Sequence, residues 1–410
     1  MFKILVSDPL AQEGVDMLKR IKEFEVDVKH KLPPEELKKI IKEYDALLVR
    51  SETKVTKEII ESADKLKLIG RAGVGLDNVD LSSASKRGII VMNTPGGNTM
   101  STAEHTMSLL LSLSRNIPQA DASVKKGEWE RKKFMGTELY AKTLGIIGLG
   151  RIGTEVTKRA ISFGMKVIAY DPFLSLDKAK ELGIESVELK DIIKRSDYIT
   201  VHTPLTDETK HIIDKDAIKD MKQGVRIINC ARGGILDELA VLEGINSGKI
   251  AGAAFDVYEK EPPVKDSPLF KCDKVVLTPH LGASTEEAQI NVAVEIAESA
   301  RDALLGCGIR NAVNVPCVDV ELYKILQPYL NLGEKIGSLA SQLSKGRTLD
   351  IQIKYSGDVA KYNSSPITVA IMKGVLSPVL QETVNYVNSV IVAKERGIKI
   401  EESKATMLEE

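Results

Sequence analysis

"LGIIGLGRIGT", residues 144–154, sets an apolar run against glycines at positions 148, 150 and 153. That spacing suits a strand that turns tightly into a helix. Gly148 makes the turn, Gly150 lets backbone amides approach an anion, and Gly153 lets the helix pack closely. The flanks agree: "RIGTEVTKRAISFG" continues as a helix, and the next strand, "KVIAYD", ends in Asp171. A carboxylate about 20 residues past the glycines is placed to hydrogen-bond the two hydroxyls of an adenosine ribose. The helix start adds N–H donors for a pyrophosphate, with Arg151 beside it. Asp171 would repel a 2′-phosphate, and Pro172, Phe173 and Leu174 offer no cation, so the pattern favours NAD over NADP.

The motif arrives after more than 140 residues, and the stretch before it is itself patterned. "FKILVSD", "FEVDV", "ALLVRS", "LKLIGRAG" and "IIVMNTP" read as strands, with "PEELKKIIKEY" and "TKEIIESADKL" as amphipathic helices between them. Strand and helix in alternation imply a parallel sheet covered on both faces. "STAEHTMSLLLSLSRNIPQADASVKKGEWE", residues 101–130, reads as one long connecting helix opened by Ser101, Thr102 and Glu104. A second series follows: "TLGIIGLG", "KVIAYDP", "YITVHTPL", "RIINCARG", "IAGAAFDVY" and "KVVLTPHLG". Residues 283–306 read as a helix capped by Ser284 or Thr285, with Val292, Ile296, Ala300 and Leu304 on one face.

The fold class expected is α/β, with two doubly wound parallel-sheet domains and a smaller, partial α+β unit at the carboxyl end. The bulk numbers fit that reading. With 410 residues the chain is too long for a single core. Fifty-seven basic against 58 acidic side chains give no bulk attraction to nucleic acid or to an anionic membrane. The apolar run before Ser7 and Asp8 is too short for a signal peptide or a membrane span. Cys230, Cys272, Cys307 and Cys317 form no CxxC pair, and no metal-ligand spacing occurs, so a reduced cytoplasmic protein without a metal is expected.

In open parallel sheets ligands bind beyond the carboxyl ends of the strands. Those ends carry His202 and Thr203, Arg232, Asp256 and Glu261, and His280. Oxidation of a 2-hydroxy acid by NAD needs a base for the hydroxyl proton and a cation for the carboxylate. His280 suits the base, Glu261 can fix its tautomer, and Arg232 offers a planar fork to the carboxylate. No G-x-S-x-G elbow favours a serine hydrolase. His30 and His211 lie in charged surroundings, and His105 falls in the long helix, where packing is the default role.

"GIIGLGRIGTEV", "DYITVHTPLT", "IINCARGGILDE", "AAFDVYEKEPP" and "LTPHLGASTEEAQ", in that order, resemble the D-isomer-specific 2-hydroxyacid dehydrogenases. "LLVRSETKVT", "IGRAGVGLDNVD" and "NTPGGNTMSTAEHT" are similar to the branch of that family that acts on a phosphorylated hydroxy acid. The resemblance spans residues 1 to about 306. It implies NAD-dependent oxidation of 3-phosphoglycerate to 3-phosphohydroxypyruvate, the first step of serine synthesis. The family's catalytic triad falls on Arg232, Glu261 and His280. Its cofactor contacts fall on the glycine turn, Arg151, Ile152, Asp171, His202, Thr203, Cys230 and the adjacent Ala231, Asp256, and the turn from His280 to Gly282.

For the substrate's phosphate the first domain offers Arg50 and Arg71, and for its carboxylate the backbone around Ala72, Gly73, Val74 and Gly75. Arg131, Lys132 and Lys133 are further cations, which in relatives reach a neighbouring subunit. The resemblance also implies an inserted nucleotide domain. Residues 1–95 with 283–306 would bind substrate, 96–282 would bind NAD, and 307–410 would be a partial intervening domain without the family's serine-sensing domain, hence without serine inhibition. The substrate site is expected in the cleft between the two sheets, and a homodimer or homotetramer is expected, with dimer contacts in residues 101–126. Alternatives are a glyoxylate, hydroxypyruvate or D-lactate reductase, and, in another class, an NAD-sensing corepressor-like protein.

Overall fold

Five short strands open the chain: β1 (Phe2–Val6), β2 (Phe24–Val28), β3 (Ala46–Val49), β4 (Leu68–Arg71) and β5 (Ile90–Met92). The computed structural model describes every residue except Asp319, Lys345, Glu382 and Thr406–Glu410, together with all side chains of the rest but that of Val320. These five strands pair in parallel in the order β2-β1-β3-β4-β5. Successive residues of β3 feed opposite faces. Leu47 and Val49 join Leu5, Ile69 and Val91 on one side, and Ala46 and Leu48 join Ile4, Val6 and Leu68 on the other. A strand buried on both faces has to be a continuous apolar run, each large aliphatic side chain contributing roughly 1.5–3 kcal/mol.

The second sheet has seven strands: β6 (Thr143–Ile147), β7 (Lys166–Tyr170), β8 (Glu185–Ser186), β9 (Tyr198–Val201), β10 (Val225–Asn229), β11 (Ile250–Phe255) and β12 (Val275–Leu277). Their order is β12-β11-β10-β9-β6-β7-β8, all parallel. The order reverses between β6 and β9, so the crevice beyond those two strand ends is the place where an open α/β sheet takes a ligand. β8, only two residues long, escapes the sequence reading because no period can show in two residues.

The chain divides into two compact units, Met1–Gly97 with Gln289–Glu410, and Asn98–Ala288. The helix Glu286–Leu304 begins where expected, with Thr285 Oγ1 accepting from Ala288 N at 3.2 Å. Its Val292, Ile296, Ala297 and Ala300 complete the core over the first sheet. The single long helix expected over 101–130 is instead two, Thr99–Arg115 and Ile117–Lys125. Between them Asn116 sits in the left-handed region at φ 52°, and Pro118 follows in the first turn of the second helix. Proline supplies no N–H to the preceding turn and an asparagine tolerates the left-handed cap, so together they break the helix.

Toward the carboxyl end, helices Val320–Leu343 and Ser365–Leu376 cross closely. A Cβ on Gly337 would strike the Ile371 carbonyl, and one on Gly374 the Glu334 carbonyl. They lie with a two-stranded parallel sheet, β13 (Asp350–Ser356) and β14 (Lys399–Ala405), around cores of their own. Among the described residues no helix is long and apolar enough to cross a membrane.

Candidate active site

The glycine turn follows β6 directly. Gly148 has φ 93°, which an L side chain rarely adopts, and a Cβ there would stand 2.7 Å from the His202 carbonyl at the end of β9. The tight turn and the reversal of strand order therefore coincide. A Cβ on Gly153 would collide with the Gly148 carbonyl, so the helix Arg151–Ser162 packs against the turn only with glycine at that place. Gly150 caps that helix, is exposed, and faces nothing within 4 Å. The open side of the turn, with the helix N-terminus behind it, fits an anion such as a pyrophosphate.

Asp171, at the end of β7, accepts from Leu149 N at 2.7 Å through Oδ2 and from Phe173 N at 2.8 Å through Oδ1. Each carboxylate oxygen keeps lone-pair capacity for a further donor. Thr203 Oγ1 is buried without a hydrogen-bond partner. Its orphaned hydroxyl, at the reversal point and beside an open anion turn, is what a ligand-binding crevice leaves unsatisfied. These features fit a dinucleotide. Arg151 is exposed at the first helical position, and Ile152 packs on the core beneath the turn.

Two expected cofactor contacts change character. Cys230 is buried in the core, where desolvation pushes its thiol up to about 12, so its side chain stays a neutral thiol, and Ala231 beside it is half-buried. His202 is held by Thr200 Oγ1, 3.0 Å from Nε2, and burial pushes its imidazole down to about 4. Its ring is a neutral wall rather than a charge.

The ends of β11 and β12 carry the polar cluster. Asp256 is fully buried, its Oδ1 accepting from Thr278 Oγ1 at 2.6 Å and Leu281 N at 2.7 Å, and its Oδ2 from Gly282 N at 2.9 Å. Burial works to raise that carboxyl, but donors from His105, Thr278 and Leu281 outweigh it and hold the group below the usual carboxylate range. Asp256 O also accepts from His280 N at 2.9 Å. His280 has φ 55°.

His280 Nδ1 lies 2.7 Å from Glu261 Oε2, while Glu261 Oε1 accepts from Tyr258 N at 3.1 Å. The hydrogen bond to Glu261 lifts the imidazole above its ordinary value despite desolvation. Burial acts to raise Glu261, yet the bond from His280 leaves it below its ordinary value. Nδ1 is thus the donor, and Nε2 of the neutral ring is an acceptor with no partner among the described residues. Arg232 follows β10, its Nη1 donating to Ala231 O at 2.7 Å, and its positive charge bears on His280. A Cβ on Gly233 would strike the Tyr258 carbonyl, so a bare backbone there lets the Arg232 loop close on the Glu261 loop.

In the other unit the strand order reverses between β1 and β3, and Arg50 stands at that point. Its backbone N donates to Asp8 Oδ2 at 2.6 Å, and Asp8 also receives Thr53 N at 3.1 Å. After β4 the Ala72 amide is already used, donating to Val49 O at 2.8 Å, so it is withdrawn from the expected anion site. Gly73 N, Val74 N and Gly75 N donate to no group among the described residues, and Gly73, at φ 145°, lies against the Arg71 guanidinium. Lys133 pairs with Glu130 at 3.0 Å.

Residues 107–282 match the D-isomer specific 2-hydroxyacid dehydrogenase NAD-binding domain, and residues 325–409 match the D-3-phosphoglycerate dehydrogenase intervening domain. A D-3-phosphoglycerate dehydrogenase of Archaeoglobus fulgidus is 49% identical over 407 residues, covering 99% of this chain and 77% of that one. The chain belongs to the D-3-phosphoglycerate dehydrogenases, within the D-isomer specific 2-hydroxyacid dehydrogenase family. A second such dehydrogenase, from Bacillus subtilis, is 48% identical over 402 residues, 98% of this chain and 76% of that one. The solved D-lactate dehydrogenase of Aquifex aeolicus, complexed with NAD and lactic acid, is 30% identical, with a TM-score of 0.65 over 74% of this chain and 96% of that one.

The sequence reading missed the polar partners that surround this family's site residues here: Ser101, Thr102 and His105 on one helix, Thr278 before the histidine turn, and Tyr258 beside Glu261. Ser101, Thr102 and His105 share a helical face, a spacing visible in the sequence.

Proposed function

We propose that the protein oxidises 3-phospho-D-glycerate to 3-phosphohydroxypyruvate with NAD, the entry step to L-serine. The observation that carries the reading is the His280–Glu261 pair, 2.7 Å apart, with an acceptor nitrogen left over, in the same unit as an open glycine turn. A nicotinamide dinucleotide, when bound, supplies the hydride acceptor. The chain's own residues do the rest. Gly148, Gly150, Arg151, Ile152 and Gly153 hold the pyrophosphate. Asp171 takes the ribose hydroxyls, and its charge, followed by Pro172, Phe173 and Leu174 with no cation among them, selects NAD. Thr203, the backbone at His202, Cys230 and Ala231, and the Asp256–Gly282 turn line the nicotinamide end.

His280 Nε2 takes the substrate's hydroxyl proton. Glu261 holds the proton already on Nδ1 and stabilises the imidazolium that forms. Arg232 fixes the substrate carboxylate. Arg50 and Arg71 take the phosphate, and the amides of Gly73, Val74 and Gly75 add donors for an anion. Residues 1–95 with 283–306, 96–282, and 307–410 are taken as the substrate, nucleotide and intervening domains. Assembly as a homodimer or homotetramer through the 101–126 region is supported by exposed Ile117 and Val124 on its second helix.

The test is NADH absorbance with 3-phosphoglycerate, lactate, glycerate and hydroxypyruvate, using the wild type and His280→Ala. The reading expects turnover of the phosphorylated acid above the others, abolished in the variant while NAD still binds. Equal rates for the unphosphorylated acids, or an active His280→Ala protein, would overturn it.

A further inference from the structure

Asp256 and the 280–282 turn are held by one face of the helix Thr99–Arg115. Ser101 Oγ donates to the Gly282 carbonyl at 2.8 Å and Thr102 Oγ1 to the same carbonyl at 3.1 Å. One turn further on, His105 Nε2 lies 3.1 Å from Asp256 Oδ1 and 3.2 Å from Thr278 Oγ1. Which atom carries the proton follows from the neighbours. Thr278 spends its single hydroxyl proton on Asp256 Oδ1, at 2.6 Å, so it meets His105 as an acceptor, as the carboxylate does. Nε2 is therefore the donor, shared between two oxygens.

The consequence runs along the backbone. Asp256 fixes Leu281 N and Gly282 N through its carboxylate and His280 N through its carbonyl, and those bonds keep His280 in the left-handed region at φ 55°. A non-glycine residue stays in that region only when its surroundings over-determine it. Ser101 and Thr102 are both buried, and their hydroxyls reach the Gly282 carbonyl rather than solvent.

We infer that His105, with Ser101 and Thr102, is a positioning face: it holds Asp256 and the Leu281–Gly282 backbone and thereby aims His280. The inference rests on the reading of His280 as the base. It makes His105 neither acid nor base toward substrate. His105 acts through Asp256, and a misplacement of about 1 Å at the reacting group is enough to cost on the order of 10²-fold in rate.

The experiment measures kcat and KM with the phosphorylated acid as substrate, and the melting temperature, for the full chain carrying His105→Gln, His105→Leu, Ser101→Ala or His280→Ala. His105→Gln keeps an N–H donor and is expected within about threefold of wild-type kcat. His105→Leu keeps bulk without the donor, and a fall in kcat of about 10- to 100-fold is expected with KM within about twofold and an unchanged melting temperature. Ser101→Ala, which removes one donor to Gly282, is expected to lower kcat about threefold or more and serves if the leucine variant does not fold. Wild-type kcat in His105→Leu, equal losses in the glutamine and leucine variants, or an unaffected Ser101→Ala would each overturn the inference. Normal turnover in His280→Ala would instead overturn the reading on which it rests.

Discussion

His280 donates Nδ1–H to Glu261 Oε2 across 2.7 Å, and that bond sets both the direction in which the ring points and the pH at which it charges. A base for hydroxyl oxidation works only as the neutral imidazole, so the oxidation rate should climb with pH through the raised His280 value and level off above it. The acid limb is expected above 6.5, the ordinary histidine value. In Glu261→Gln the partner charge is gone, and the limb moves down toward the ordinary value while the plateau falls about 10²-fold. A pH series of kcat/KM on both proteins checks this, and an unmoved limb would remove Glu261 from the role.

The same pair has a stability signature whose sign follows from the two shifts. The raised His280 contributes stability that is complete below its ordinary value and lost as pH rises through the folded one. The lowered Glu261 contributes stability present above its ordinary 4.5 and lost as pH falls through the folded one. The melting-temperature gap between wild type and Glu261→Gln should be widest between those limits and close on either side. Both groups are partly solvated, so the gap is expected to be small.

Asp171 should decide the dinucleotide. Asp171→Ala removes an acceptor for the ribose hydroxyls and a charge that repels a 2′-phosphate. NAD affinity is expected to fall about 10- to 100-fold, the scale of a charged hydrogen bond, while the preference for NAD over NADP narrows. Fluorescence titration with both dinucleotides measures it. An unchanged ratio would show that selection lies elsewhere.

Gly153→Ala tests the turn itself. Its Cβ would meet the Gly148 carbonyl, so the helix must retreat from the strand, at a cost of roughly 1–3 kcal/mol in unfolding free energy and with loss of dinucleotide binding. Gly150→Ala meets nothing within 4 Å and is expected to fold normally while binding the dinucleotide less well. Comparing melts and titrations for the two separates packing from ligand approach.

Arg50 should discriminate between substrates. Its guanidinium stays charged across the working pH range, even though burial lowers its pKa. With the phosphorylated acid, Arg50→Gln is expected to raise KM about 10- to 100-fold, and to leave any residual rate on unphosphorylated acids within about twofold. Uniform effects on all substrates would argue against a phosphate role.

What could be read from the sequence was whatever has a period or a motif. Leu47, Leu48 and Val49 announce a doubly buried strand, and the glycines at 148, 150 and 153 announce a turn whose geometry the structure reproduces residue by residue. Partnerships formed at long range were not legible. Ser101 and Gly282 lie 181 positions apart, and nothing local in either marks the other. The break at Asn116 is signalled in the sequence by Pro118, while the length of the 101–130 stretch suggests a single helix. The Ala72 amide looked available because a sequence does not show which backbone donor a neighbouring strand end has already taken.

His202 completes the contrast with His280. Buried at the reversal point and pushed down to about 4, its imidazole is neutral across the range in which His280 titrates. The two strand-end histidines therefore answer to pH in separate ranges, one well below neutrality and one above the ordinary histidine value. On the proposed roles, a change of pH near neutrality reaches the proton acceptor at His280 and leaves the His202 ring as it was.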